Sequence, residues 1–220
     1  MKLKDLINPE LLLKISNKGI FKLKESLNQN SRERLSEITI KGIPNNIFAF
    51  STDQEVQLSN GAKEKARNYF FNVPRLSNHN NKNEHKRINK NCDGVFVKID
   101  DNNIEVIYCE LKSKDLKAGT YEYQLINTKL LFEYFIRIYN TFYGKEYGVL
   151  EIKKQRFIVF YLHEVISNEN KTVRPDFDNS YKSKYRLENE EVKMELFPDE
   201  LIKKYPIFQP SNNFIEFSAL

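Results

Sequence analysis

The chemistry-bearing residues of this 220-residue chain gather in one stretch, Asp93 to Lys112. Asp93 opens a run of apolar, β-branched residues, and Glu110 and Lys112 close a second one. Two carboxylates brought side by side repel, and each disfavours ionisation of the other. A divalent cation removes that penalty, because hard oxygen ligands suit Mg2+ or Mn2+. Lys112 follows Glu110 by two residues, so on a strand it points the same way. An ammonium beside a metal-bound carboxylate pair is placed to orient a water or to stabilise a developing oxyanion.

The element that must position these groups is a β-hairpin. The polar cluster Asp100-Asp101-Asn102-Asn103 separates the two apolar runs, and these are residue types that tight turns demand. With Asp101 and Asn102 as loop residues, Asp93 lies opposite Glu110. The same register pairs Ile99 with Ile104, Val97 with Val106 and Val95 with Tyr108 on one face. On the other face it pairs Phe96 with Ile107 and Lys98 with Glu105. Apolar pairs and an opposite-charge pair are what a ladder prefers. A slip of one residue scrambles both faces. In this register the β-carbons of Asp93 and Glu110 are roughly 5 Å apart. Other Glu-x-Lys triplets occur, at Glu84-Lys86, Glu151-Lys153, Glu169-Lys171 and Glu191-Lys193, but only Glu110-Lys112 closes a strongly apolar strand with an Asp opposite.

Asp93, then Glu110-Leu111-Lys112, then Gln124 on the following helix, resembles the PD-(D/E)xK nuclease superfamily. The likeness spans roughly residues 91–143, and Cys92 stands where the family's Pro would be. The resemblance implies a restriction-endonuclease-like three-layer α/β core, a mixed central sheet flanked by helices. It implies a Mg2+- or Mn2+-dependent hydrolase of phosphodiester bonds, with Asp93, Glu110 and the main-chain carbonyl of Leu111 as metal ligands. Lys112 would orient or deprotonate the attacking water, and Gln124 would hydrogen-bond toward the metal water or a phosphate. A DNA endonuclease of bacterial, antiviral defence or of DNA processing is the implied setting. Some relatives carry a third carboxylate upstream of the Asp, for which Glu84 and Glu64 are rival candidates.

Around this centre, residues 77–91 form a polar, Asn-rich, basic loop that runs directly into the Asp93 strand. His85, Lys86, Arg87 and Lys90 are candidates to grip phosphates, contacts that position nucleic acid without reading its sequence. Lys114 and Lys117 continue the basic rim. Tyr121 and Tyr123 offer rings for base stacking or serve as core filler.

The rest of the chain reads as one nuclease-like domain: an N-terminal helical and strand extension (1–60), a catalytic core (61–165) and a C-terminal extension (166–220). The first thirty residues read as mostly helical, with Pro9 near a helix start. Glu37 to Ser51 reads as two strands broken at Gly42 to Asn46, and Asn60 to Phe71 as a short helix. Thr120 to about Tyr143 reads as a long helix, and Arg156 to Val165 as a central strand buried on both faces. Residues 166–192 read as irregular, Pro198 to Tyr205 as a short helix, and Phe214 to Phe217 as an edge strand.

Composition sets limits on function. Hydrophobic residues make up 40% of the chain, with 16 Phe and 12 Tyr, enough for a sizeable core. No apolar run has the length of a membrane span, and the N-terminus lacks a secretory pattern, so a cytoplasmic location is expected. Cys92 and Cys109 read as small buried hydrophobes; with His79, His85 and His163 they do not build a zinc site. The net charge of +5 is compatible with nucleic acid. No P-loop is present, so any ATP dependence needs a partner ATPase, and cutting both strands needs a homodimer or two cuts. The competing reading is an inactive nuclease-like subunit that binds nucleic acid or protein within a larger complex.

Overall fold

The computed structural model describes residues 3–24, 37–52, 55–57, 61, 63–65, 91–112, 120–162, 190–207 and 214–220. The loop residues Glu84, His85, Lys86, Arg87 and Lys90, the rim residues Lys114 and Lys117, and the segment 163–189 lie outside the described residues.

The fold is α/β, built on a large mixed sheet and one α-helix among the described residues. Its strands are β1 (Leu12–Leu13), β2 (Phe21–Lys24), β3 (Glu37–Lys41), β4 (Ile47–Phe50), β5 (Glu55–Gln57), β6 (Lys63–Lys65), β7 (Gly94–Asp100), β8 (Asn103–Lys112), β9 (Glu151–Leu162), β10 (Glu190–Lys193), β11 (Leu201–Ile207) and β12 (Phe214–Glu216). The helix α1 (Thr120–Tyr147) connects β8 to β9. Seven strands form the main sheet in the order β1-β4-β7-β8-β9-β11-β10. Pairing is parallel at β8/β9 and β9/β11 and antiparallel elsewhere. The parallel β8/β9 pair needs a crossover, and α1 provides it. Strands β1 and β4, from the first sixty residues, pair into the same sheet as the hairpin.

Alternation along β7 and β8 sends side chains into two cores. Val95, Val97, Val106 and Tyr108 join Phe157 and Val159 of β9 and Leu125, Phe132, Ile136 and Tyr139 of α1. Phe96, Ile107, Cys109 and Leu111 join Ile158 and Phe160 of β9 on the opposite face. That face is covered by a three-stranded sheet, β12-β3-β2, through Phe21, Leu23, Ile38 and Ile40. Among the described residues, then, one face of the main sheet carries a helix and the other carries strands. The expected helices on both faces are not what covers these residues.

The hairpin register is the one read from the sequence. Asp100 pairs with Asn103, Ile99 with Ile104, and so on to Gly94 with Cys109. Strand β9 has buried residues on both faces, as a central strand must, and begins at Glu151, five residues before the expected start. The helix runs four residues past its expected end. It stops at Gly148, whose φ is +95° and whose missing Cβ makes room for Asn102. A Cβ there would lie 2.7 Å from the Asn102 Oδ1, so glycine is required by both dihedral and space. The pair of strands expected between Glu37 and Ser51 is present as β3 and β4, and the edge strand near Phe214 as β12.

Four expectations are corrected. Residues 3–24, the part of the first thirty that is described, are not mostly helical. Two short 3-10 turns, Leu3–Leu6 and Pro9–Leu11, the second capped by Asn8, are followed by entry into the sheet as β1. Further on, Phe21-Lys22-Leu23-Lys24 alternates buried and exposed, a period of two that marks a strand. Lys63–Lys65, expected in a helix, pair antiparallel with Glu55–Gln57; the remainder of that helix lies outside the described residues apart from the bend at Gly61. The segment Leu201–Ile207 is a strand parallel to β9 rather than a helix. Pro206 is compatible with this strand, because among the described residues β10 pairs with β11 only as far as Lys204. Glu190 to Val192, the end of the segment expected to be irregular, belong to β10, the strand that pairs with β11.

Candidate functional site

The site forms where the β7/β8 ladder ends against the first two turns of α1. Even-numbered residues of β8 face α1, as Tyr108 shows by its place in that core. Glu110 and Lys112 therefore face it too. Glu110 is only 1% exposed. A buried carboxylate is costly unless paired, and the Lys112 ammonium bonds its Oε1. The same ammonium donates to Gln124 Oε1 of α1 at 2.6 Å. Gln124 in turn donates through Nε2 to the main-chain carbonyl of Asn91 at 3.1 Å. Of the two readings open for Gln124, a solvent-facing helix residue is excluded: its amide links β8 to the chain entering β7.

Asp93 ends the ladder in a specific way. In an antiparallel pair, alternate residues exchange both main-chain bonds with their partner, so N–H and C=O of such a residue point to the same neighbour. Leu111 directs its N–H toward β7, where Asp93 Oδ2 accepts it at 2.7 Å. Extending the register two places past Gly94 and Cys109 would set Cys92 opposite Leu111. A continued ladder would then bond Cys92 N–H to the Leu111 carbonyl. Instead Cys92 N–H is donated to Thr128 Oγ1 of α1 at 2.9 Å. The Asp93 carboxylate has replaced one ladder bond, and a helix hydroxyl has drawn off the donor of the other. The Leu111 carbonyl is thereby released from its ladder donor on the side where Asp93 lies.

The result is a set of oxygens of one chemical kind. The Glu110 carboxylate projects from β8 toward the helix face, the Asp93 carboxylate stands just before β7 and accepts the Leu111 N–H, and Leu111 directly follows Glu110 in sequence. Such hard oxygens are what Mg2+ and Mn2+ take. Among the described residues no cluster of three or more His, Cys, Asp and Glu side chains forms a larger ligand set. Glu64 is in β6, and Glu84 lies outside the described residues.

Other residues singled out by type have structural work. Cys92 and Cys109 are free and buried, and Cys92 Sγ donates to the Gly94 carbonyl at 3.4 Å. Burial pushes both thiols well above their ordinary range, so neither is a thiolate at neutral pH. Tyr121 is buried in the helix-side core, and burial raises its phenol. Tyr123 packs edge-on to Phe197 at 5.8 Å. Tyr121 is thus core filler, and Tyr123 is half-buried against Phe197. Lys129 bonds Glu200 of the C-terminal segment.

The structure thus brings together Asp93, Glu110, Leu111, Lys112 and Gln124. It also shows three residues the sequence reading passed over. Thr128 lies one helical turn after Gln124, a spacing that puts both on one face. Glu122 is buried and accepts from the main-chain N–H of Glu195 and Leu196, which ties α1 to the C-terminal strands. Asn91 is 1% exposed, and its side-chain amide meets no hydrogen-bond partner among the described residues.

Compared with family models, with curated proteins and with solved structures, the chain gives no significant match.

Proposed function

We propose that this chain is a metal-dependent nuclease of the PD-(D/E)xK type on a restriction-endonuclease-like core, hydrolysing phosphodiester bonds in DNA in bacterial defence or DNA processing. The observation that carries the reading is the broken ladder: Asp93 takes the Leu111 N–H, Thr128 takes the Cys92 N–H, and the neighbouring Glu110 carboxylate is bonded by the Lys112 ammonium. A hairpin that served only as scaffold would gain by continuing its main-chain bonds. The mixed sheet with the site strand next to parallel β9 and a helix crossing between them supports the core assignment.

The residues present suit a hard divalent cation, which Asp93, Glu110 and the Leu111 carbonyl would hold. When bound, such an ion polarises a phosphoryl oxygen and acidifies a bound water. Lys112 supplies fixed positive charge for the phosphorus centre as the water oxygen attacks and the P–O bond to the leaving alkoxide breaks. Gln124 holds Lys112 from the helix side, so the ammonium is placed before the substrate arrives. Glu110 is held within β8, and Asp93, at the entry to β7, is fixed by its bond to the Leu111 N–H of that strand.

One observation favours a second reading, a binding subunit without catalysis. The Lys112 ion pair already compensates the buried Glu110 charge. The two readings separate when DNA breakage and DNA affinity are measured on the same protein in Mg2+ and in EDTA. The nuclease reading expects strand breaks in Mg2+ and none in EDTA. The binding reading expects no breaks, equal affinity in both, and an Asp93→Ala variant that binds as well or better.

A further inference from the structure

The geometry points to Thr128 as a positioning residue of the metal site: its hydroxyl holds the Asn91–Cys92 peptide against α1 and so keeps the Leu111 carbonyl available as the third oxygen ligand, alongside Asp93 and Glu110. This inference rests on the nuclease reading above.

Thr128 is 1% exposed and uses its hydroxyl twice. It donates to the Gln124 carbonyl at 2.8 Å, the bond to the residue one turn back that a helical Thr makes readily. That bond spends the single hydroxyl proton, so what remains is lone pairs, and one of these accepts Cys92 N–H. The carbonyl of Asn91 belongs to the same peptide group as that N–H, and it accepts from Gln124 Nε2. Two residues one turn apart on α1 therefore hold the two ends of one peptide group. Extended two places past Gly94 and Cys109, the register would set Cys92 opposite Leu111, where this peptide group would continue the ladder.

Removing the hydroxyl while keeping the shape undoes the arrangement. In Thr128→Val the Cys92 N–H would be buried without its acceptor. An unsatisfied buried donor is costly, and the nearest relief is the Leu111 carbonyl, its ordinary ladder partner. A carbonyl so engaged is a poorer metal ligand. Residues that orient ligands from behind change metal affinity by about 10- to 100-fold when replaced.

The test is Mn2+ binding by calorimetry to the full chain, for wild type, Glu110→Ala, Thr128→Val and Thr128→Ser, with thermal unfolding recorded for each. The expected result is binding by wild type, loss in Glu110→Ala, at least about tenfold weaker binding in folded Thr128→Val, and recovery in Thr128→Ser, which restores the hydroxyl. Wild-type affinity in folded Thr128→Val overturns the role of Thr128 and leaves the nuclease reading standing. No Mn2+ binding by wild type overturns both. A second measurement needs no variant. In wild-type protein, Mg2+ is titrated while the carbonyl 13C resonance of Leu111 and the amide resonance of Cys92 are followed. The Leu111 carbonyl is expected to shift with metal saturation. A Leu111 carbonyl that stays unmoved while the Asp93 and Glu110 side-chain resonances shift overturns the proposal even if Thr128→Val does not fold.

Discussion

Glu110 and Lys112 form an ion pair within one strand, two residues apart on the helix-facing side of β8, with the carboxylate 1% exposed. Neighbours at this spacing share a face of the strand, and burial makes the pair consequential. Breaking a buried pair by removing one partner leaves an uncompensated charge in a low-dielectric site.

Lys112→Ala should therefore lower stability by about 3 kcal/mol or more in EDTA. Added Mn2+ should restore much of the loss, because a cation bound to the folded state alone stabilises it by mass action. Urea unfolding of wild type and Lys112→Ala, each in EDTA and in Mn2+, measures both effects. Equal loss in the two buffers would mean that no cation substitutes for the ammonium.

The cysteines should be inert until the protein unfolds. Burial raises the Cys92 and Cys109 thiols, so at pH 8 the nucleophilic thiolate is scarce and out of reach. An aromatic disulfide reagent should titrate no thiols in native protein and two in urea. Rapid reaction of the native protein would show that the Cys92 segment opens readily, against the picture of a peptide clamped by α1.

The hairpin turn carries local strain. Asp101 has φ of 55°, a left-handed conformation that costs an L-residue free energy and glycine none. Asp101→Gly should raise stability by about 0.5–1 kcal/mol, net of the extra freedom glycine gives the unfolded chain. Thermal or urea unfolding reads this out. A loss of stability would show that the Asp101 side chain contributes more than its backbone costs.

The hairpin and its register were legible because three signals agreed: turn residues at Asp100 to Asn103, apolar pairs on both faces, and Lys98 opposite Glu105. Helix α1 and strand β9 were legible from long periodic or continuous apolar runs. From that register alone, Asp93, Glu110 and Lys112 could be set on one face. The N-terminal strands were missed because Leu11 to Leu13 satisfies a helix as well as a strand when tertiary context is lacking. Tertiary context also decided β11, which pairs with β9 on one side and β10 on the other. The role of Thr128 had no local signal. It depends on a hydrogen bond spanning 36 residues, which only the assembled fold brings into being.

The most direct test of the central claim is cleavage of supercoiled plasmid by the purified full chain in Mg2+ and in EDTA, beside Glu110→Ala and Lys112→Ala. The account predicts nicked or linear product from wild type in Mg2+ alone, and at least a hundredfold less from either variant, on the order of what loss of one preorganised charge costs. Cleavage that persists in EDTA, or that both variants retain at wild-type rate, would contradict it.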